Sequence, residues 1–215
     1  MIQANQILEL AQAIASSLNE KQEELKACKW ADGESNTDTD FSNLACTVAE
    51  EVWSSKEGIT LKATAPDINL TFTFPNGKTQ KAKIELKSSK SPTMPGSTIG
   101  KLDINQPLIF CLRGETYKLR AAQYHQAMGE SSYDLFQDRT PRPQINFNKM
   151  PTDPLPLVIK EKSAWVEHYA ECAINRLEGA PNKSWQDDLT KAIIDQYLKS
   201  TDLETIAARK AALSV

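Results

Sequence analysis

Residues 65–90, APDINLTFTFPNGKTQKAKIELKSSK, constrain this chain more than any other stretch. Two runs of alternating apolar and polar residues flank Pro75-Asn76-Gly77, which suits a three-residue hairpin loop. Pro presets the first turn position, Asn tolerates the second, and Gly supplies the left-handed third. That loop pairs Phe74 with Lys78 and brings Asp67 opposite Glu85. Ile68, Leu70, Phe72 and Phe74 then share a face with Ile84, Ala82, Gln80 and Lys78, and Leu86 continues it. Asp67, Asn69 and Thr71 point the other way, beside Glu85, Lys83 and Lys81. A two-residue Asn76-Gly77 loop would set Asp67 against Leu86 and mix the faces, which a half-buried hairpin resists. Glu85 and Lys87 share a face because strand side chains repeat every two residues. Two carboxylates and an amine are thus expected side by side.

Adjacent carboxylates repel, and a divalent cation relieves them. Mg²⁺ is the natural choice, since it keeps several waters and takes further ligands from a phosphate. A lysine beside it can orient or deprotonate the attacking water and stabilise charge on the phosphorus oxygens. The chemistry this suits is phosphodiester hydrolysis. The plain alternative is a cross-strand charge cluster on the surface.

Pro66-Asp67 followed by Glu85-Leu86-Lys87 on the next strand resembles the PD-(D/E)xK nuclease superfamily, which includes most type II restriction endonucleases. The resemblance implies that Asp67 and Glu85 bind the metal, that the Leu86 carbonyl joins them, and that Lys87 is the catalytic lysine. It also implies a metal-assisting glutamate on the helix before the hairpin, for which Glu50 and Glu51 are the candidates. Glu51 borders that helix's apolar stripe slightly more closely; a solvated acidic pair is the alternative for both. The triplet Glu24-Leu25-Lys26 repeats the motif within a helical pattern and without a preceding Pro-Asp, so only the second copy has the required context.

With 215 residues, 40% of them hydrophobic, the chain can bury a core as one domain spanning 1–215. No apolar run is long enough for a bilayer, and polar residues interrupt the first segment too often for a secretory signal. Cys28, Cys46, Cys111 and Cys172 lack metal-ligand spacing and read as free thiols in a reducing cytoplasm. The net charge of −3 is unevenly spread: residues 75–149 hold eight Lys and four Arg against six acids, a balance of +6. A basic middle between acidic flanks fits a cleft for a polyanion.

Along the chain, residues 2–27 read as an amphipathic helix, 32–40 as a polar surface loop, and 43–54 as a second helix with Leu44, Val48 and Val52 in its stripe. A strand over 59–64 precedes the hairpin. Ser88, Ser89 and Lys90 follow the motif, where hydroxyls and an ammonium suit phosphate contacts, or form an ordinary polar loop. Residues 92–101 lack the spacing of a nucleotide-binding loop. Residues 107–113 suit a buried central strand, and 117–128 read as a helix. His125 and His168 have no partner at ligand spacing and read as structural or exposed. No Gly-x-Ser-x-Gly turn offers a nucleophile.

Residues 131–156 are rich in proline and expected to be irregular. They carry Arg139, Arg142, Gln144, Asn146, Asn148 and Lys149, side-chain types that read base edges in the major groove. A base-reading or DNA-wrapping loop is one reading, and a connecting loop away from the site is the other. A strand over 155–159 is expected. Ser163, Ser184 with Asp187, and Thr201 with Glu204 mark helix starts in a helical part over about 162–215.

The expectation is an α/β chain with a restriction-endonuclease-like mixed central sheet flanked by helices, its catalytic core over about 43–113. The function expected is Mg²⁺-dependent hydrolysis of double-stranded DNA, most like a cytoplasmic type II restriction enzyme leaving 5′-phosphate ends. A palindromic site would call for a homodimer. The rivals are a structure-specific repair, recombination or phage nuclease, and a non-catalytic DNA-binding or assembly protein on the same fold.

Overall fold

Gln3 opens the first helix with a reciprocal box: its side chain takes the third helical N–H, while Gln6 Oε1 accepts from the Gln3 amide at 2.8 Å. The computed structural model describes residues 1–30, 38–53, 58–97, 103–128 and 144–154. Within them α1 (Ala4–Glu20) buries a stripe of Ile7, Leu10, Ala11, Ile14 and Leu18. The chain breaks at Lys21 and resumes as α2 (Gln22–Ala27), so the single helix expected over 2–27 is two. The third helix, α3 (Thr39–Val52), buries Phe41, Ala45, Cys46, Val48 and Ala49. It starts earlier than the sequence suggests, taking Thr39 and Asp40 from the expected loop.

Five strands form the main sheet: β1 (Thr60–Thr64), β2 (Ile68–Thr73), β3 (Thr79–Ser89), β5 (Pro107–Leu112) and β6 (Lys118–Gln123), in the order β1-β2-β3-β5-β6. All neighbours are antiparallel except β3 and β5, which run parallel, so the sheet is mixed. Between β3 and β5 the chain makes β4 (Thr93–Pro95), which pairs with β7 (Gln144–Asn146); α4 (Tyr124–Ala127) follows β6 directly.

The hairpin register is the one the alternation predicts, with Ile68, Leu70 and Phe72 opposite Ile84, Ala82 and Gln80. Phe74 and Gly77 close the loop: Phe74 N donates to Lys78 O and Gly77 N to Phe74 O, both at 2.9 Å, and Gly77 has φ +77°. One sheet face is covered by α1 and α3, where Ile84, Leu86, Ile109, Cys111, Leu119 and Ala121 join the helix stripes in one core. The opposite face carries a smaller core of Leu108, Phe110, Ala122, Tyr124, Ile145, Phe147 and Met150. Among the described residues that second core covers only the β5–β6 half, and the side chains of β1, β2 and the first half of β3 on this face are exposed or half-buried.

Two expectations are corrected. Residues 118–123 are a strand, not a helix, and helix is confined to the single turn of α4. The local sequence KLRAAQ favours helix, but pairing along the whole of β5 overrides that preference. Because β6 has apolar neighbours on both faces, its alternation is hidden. Within 131–156, Gln144–Asn146 forms β7 instead of irregular chain, held to β4 by Met94 opposite Ile145. The expected strand at 155–159, the C-terminal helices over 162–215, Arg139, Arg142, His168 and Cys172 lie outside the described residues.

Side chains occupy main-chain groups at both outer strands. On β6, Asn19 pairs with both main-chain groups of Leu119, at 3.0 and 2.8 Å. Gln22 pairs likewise with Tyr117, at 2.9 Å each way. On β1, the Ala63 N–H donates to Glu50 Oε1 at 2.8 Å.

Candidate active site

Asp67 stands where the ladder stops. Strand β2 begins at Ile68, and Asp67 turns out of it with φ +55°, a left-handed conformation that Asp adopts more readily than most residues. The turn is fixed from two sides. Cys46 Sγ on α3 donates to the Asp67 carbonyl at 3.6 Å, and Asp67 Oδ1 accepts from the Leu86 N–H at 3.0 Å. The Asp67 carboxylate thus reaches across to the Glu85-Leu86 peptide. Its other oxygen, Oδ2, meets Lys83 Nζ at 2.8 Å.

Glu85 is buried, an unusual state for a carboxylate without partners. Its Oε1 takes both of its bonds, one from Lys87 Nζ at 2.7 Å and one from the Ser97 hydroxyl. The Ser97 N–H in turn donates to the hydroxyl oxygen of Tyr124, a fully buried side chain of the smaller core. Glu85 and Lys87 lie on the face of Leu108 and Phe110, their partners on β5. The pair therefore stands where the smaller core ends and the open half of the sheet begins.

The helix glutamates part company. Glu50 turns toward the sheet and caps Ala63, whereas Glu51 points away, 3.6 Å from Lys21 Nζ. The slight preference of the helical wheel for Glu51 thus does not hold for nearness to the sheet. Burial, Glu50 and Asp67 together push the Cys46 thiol up to about 11, so both carboxylates act on this one thiol. Cys46 and Glu50 line an open cleft of about 400 Å³ between α3 and β1 that reaches Ala65, beside the Asp67 turn.

Among the described residues, no three acids, cysteines or histidines come together as a metal cage. Any cation here would rest on Asp67, Glu85 and the Leu86 main chain, with water and substrate completing its shell. Glu24-Leu25-Lys26, the other copy of the triplet, lies on α2, where Lys26 pairs with Glu23 at 2.7 Å.

No family model, curated protein or solved structure matches this chain.

The expected phosphate contacts are placed as follows. Ser88 and Ser89 belong to β3 itself. Ser88 points to the helix face and bonds the Asp38 carboxylate, and Ser89 Oγ accepts from the Ser91 N–H at 2.9 Å. Lys90 is exposed beyond the strand end. Gln144 and Asn146 sit on β7, and Asn146 Oδ1 accepts from the Asn148 N–H at 2.9 Å, within the turn that includes Lys149. These residues lie with the smaller core, on the side of the sheet that carries Glu85. Sequence reasoning missed Ser97 and Tyr124, which no motif marks. It placed Lys83 on the correct face but gave it no partner.

Proposed function

We propose that this chain is a Mg²⁺-dependent endonuclease of the PD-(D/E)xK type, acting on double-stranded DNA and most like a type II restriction enzyme. The observation that carries the reading is the bond from the Leu86 N–H to Asp67 Oδ1, which ties the Asp67 carboxylate to the peptide that follows Glu85. The donor set fits a hard cation. Among the described residues both bonds to Glu85 fall on Oε1, and Oε2 is offered to a further ligand. Lys83 and Lys87 meanwhile balance the negative charge that a cation would otherwise balance. When bound, the cation would activate water and polarise the scissile phosphate.

The chain's own residues supply the rest. Asp67 and Glu85 would hold the ion, and Ser97 keeps Glu85 in its rotamer. Lys87, on the same face, would orient the attacking water and stabilise charge on the phosphoryl oxygens. Lys83 offers a second ammonium to the substrate. Cutting both strands of a palindromic site would engage two copies around a two-fold axis.

The same ion pairs favour a second reading, in which two carboxylates and two lysines neutralise one another and serve only to brace a binding protein. The test is incubation with mixed-sequence plasmid and phage DNA, in Mg²⁺ or EDTA, for wild type, Asp67→Asn and Lys87→Gln. Discrete Mg²⁺-dependent bands, lost in both variants, are expected. A smear lost in the variants would keep the nuclease and remove the restriction role. Cutting only of branched or flapped substrates would assign a structure-specific enzyme. No cutting of any substrate, methylated or not, would leave the self-neutralised cluster. Lys87→Gln is preferred to Lys87→Ala because Glu85 is buried. Deleting its partner outright would destabilise the fold by about 2 kcal/mol, less than the ~3–5 of a fully buried pair because Lys87 is partly exposed.

A further inference from the structure

We infer that the open half of the sheet, on the face that carries Glu85, is a docking surface for the sugar-phosphate backbone of a nucleic acid, with Lys62, Lys81 and Lys83 as its phosphate contacts. The register places Lys62, Thr71 and Lys81 in one row across β1, β2 and β3. Thr64, Asn69 and Lys83 form the next row, and a third row is threonine throughout. These nine positions hold no acid and no large apolar side chain, so the face offers only ammoniums, hydroxyls and an amide. Such donors serve phosphate and sugar contacts without reading sequence. Neighbouring strands lie about 4.8 Å apart and alternate residues about 7 Å. The three lysine stems therefore stand within about 12 Å of one another.

Two features argue that an anion belongs there. Like charges gathered on one sheet face are destabilising, and among the described residues neither Lys62 nor Lys81 has an ion-pair partner. Lysine on an edge strand can be explained as protection against strand addition, which would account for Lys62 on β1. The same protection would serve Lys81 and Lys83, because β3 pairs there with β2 alone and meets β5 only from Glu85 onward. Edge protection does not explain why all three ammoniums share the one face that carries Glu85. The face is also continuous with the carboxylate pair, because Lys83 bonds Asp67 and alternates along β3 with Glu85 and Lys87. A polyphosphate lying across the lysine rows would lead into that pair. The inference thus rests on the phosphodiesterase reading of the site and extends it to the track along which substrate lies. An acidic protein or an anionic membrane would match the charge but would not explain this continuity.

The test is a salt titration of binding to a short fluorescent DNA duplex without divalent cation, for wild type and for Lys62→Thr/Lys81→Thr. Threonine keeps a strand-forming side chain at both positions, and a Lys62→Glu/Lys81→Glu variant repeats the experiment with the charge reversed. Two lost phosphate contacts should reduce the slope of log K against log salt by about 1.8 and weaken binding to unrelated sequences equally. Unchanged affinity and slope in both variants would overturn the inference, and with wild-type cleavage intact would leave the nuclease reading standing. A reduced slope in a protein that never cleaves would support the docking surface and remove the catalysis. Binding to phosphatidylserine vesicles but not to duplex would overturn it in favour of a membrane surface.

Discussion

At the scale of the residue, Asp67 does two things that pull on different properties. Its carboxylate faces Lys83 and the Leu86 N–H, and its backbone occupies the left-handed region. Substitutions can separate these. Asp67→Asn keeps a side chain that tolerates positive φ and loses only the charge, whereas Asp67→Ala adds a backbone cost of about 1–2 kcal/mol. Urea unfolding should therefore place the Ala variant below the Asn variant, while cleavage is lost in both. Equal unfolding midpoints would mean that the turn relaxes when the carboxylate is gone. This outlier was not legible in the sequence. Alternation predicted Asp67 opposite Glu85 as one more rung, and the register over 68–84 does point there. Where the ladder ends, the Asp67 carbonyl accepts from Cys46, 21 residues away in sequence, a contact that no local pattern encodes.

At the scale of the element, the hairpin was readable because three signals agreed: the loop chemistry of Pro75-Asn76-Gly77, the period-two alternation, and the one register that keeps the two faces unmixed. Gly77 tests the first of them. At φ +77°, with open space where a Cβ would point, Gly77→Ala meets no neighbour and costs only backbone strain, about 1 kcal/mol. Thermal melts should show that modest loss, and a far larger one would mean that the loop rearranges. Where signals conflicted, the sequence misled. In 118–123 the two adjacent alanines favour helix, and their placement on opposite faces of β6 becomes visible only once β5 lies beside them. The helix glutamates are separated by a related effect. A wheel ranks Glu50 and Glu51 by angle alone, while the choice is made by the Ala63 N–H on β1.

At the scale of the whole molecule, folding protects three thiols from ionising. Burial is the leading cause in each: Cys46 is raised to about 11, Cys111 to about 12, and Cys28 upward from the ordinary 9.0. A raised folded-state pKa favours the protonated native form. The stability involved is fully present below pH 9, where both states are protonated, and is lost as pH rises through about 9 to 12. Urea midpoints should fall across that window, and the fall should be shallower in Cys46→Ala/Cys111→Ala. An equal fall would place the alkaline sensitivity in other groups. The side chains that seal the sheet edges have a consequence of their own. Asn19 and Gln22 stand in for a sixth strand along β6, and Glu50 occupies the main-chain N–H of Ala63 on β1. A second copy could not pair with the main chain at these positions without first stripping those amides and that carboxylate. Strand addition, the route by which exposed edges seed fibrils, is obstructed there.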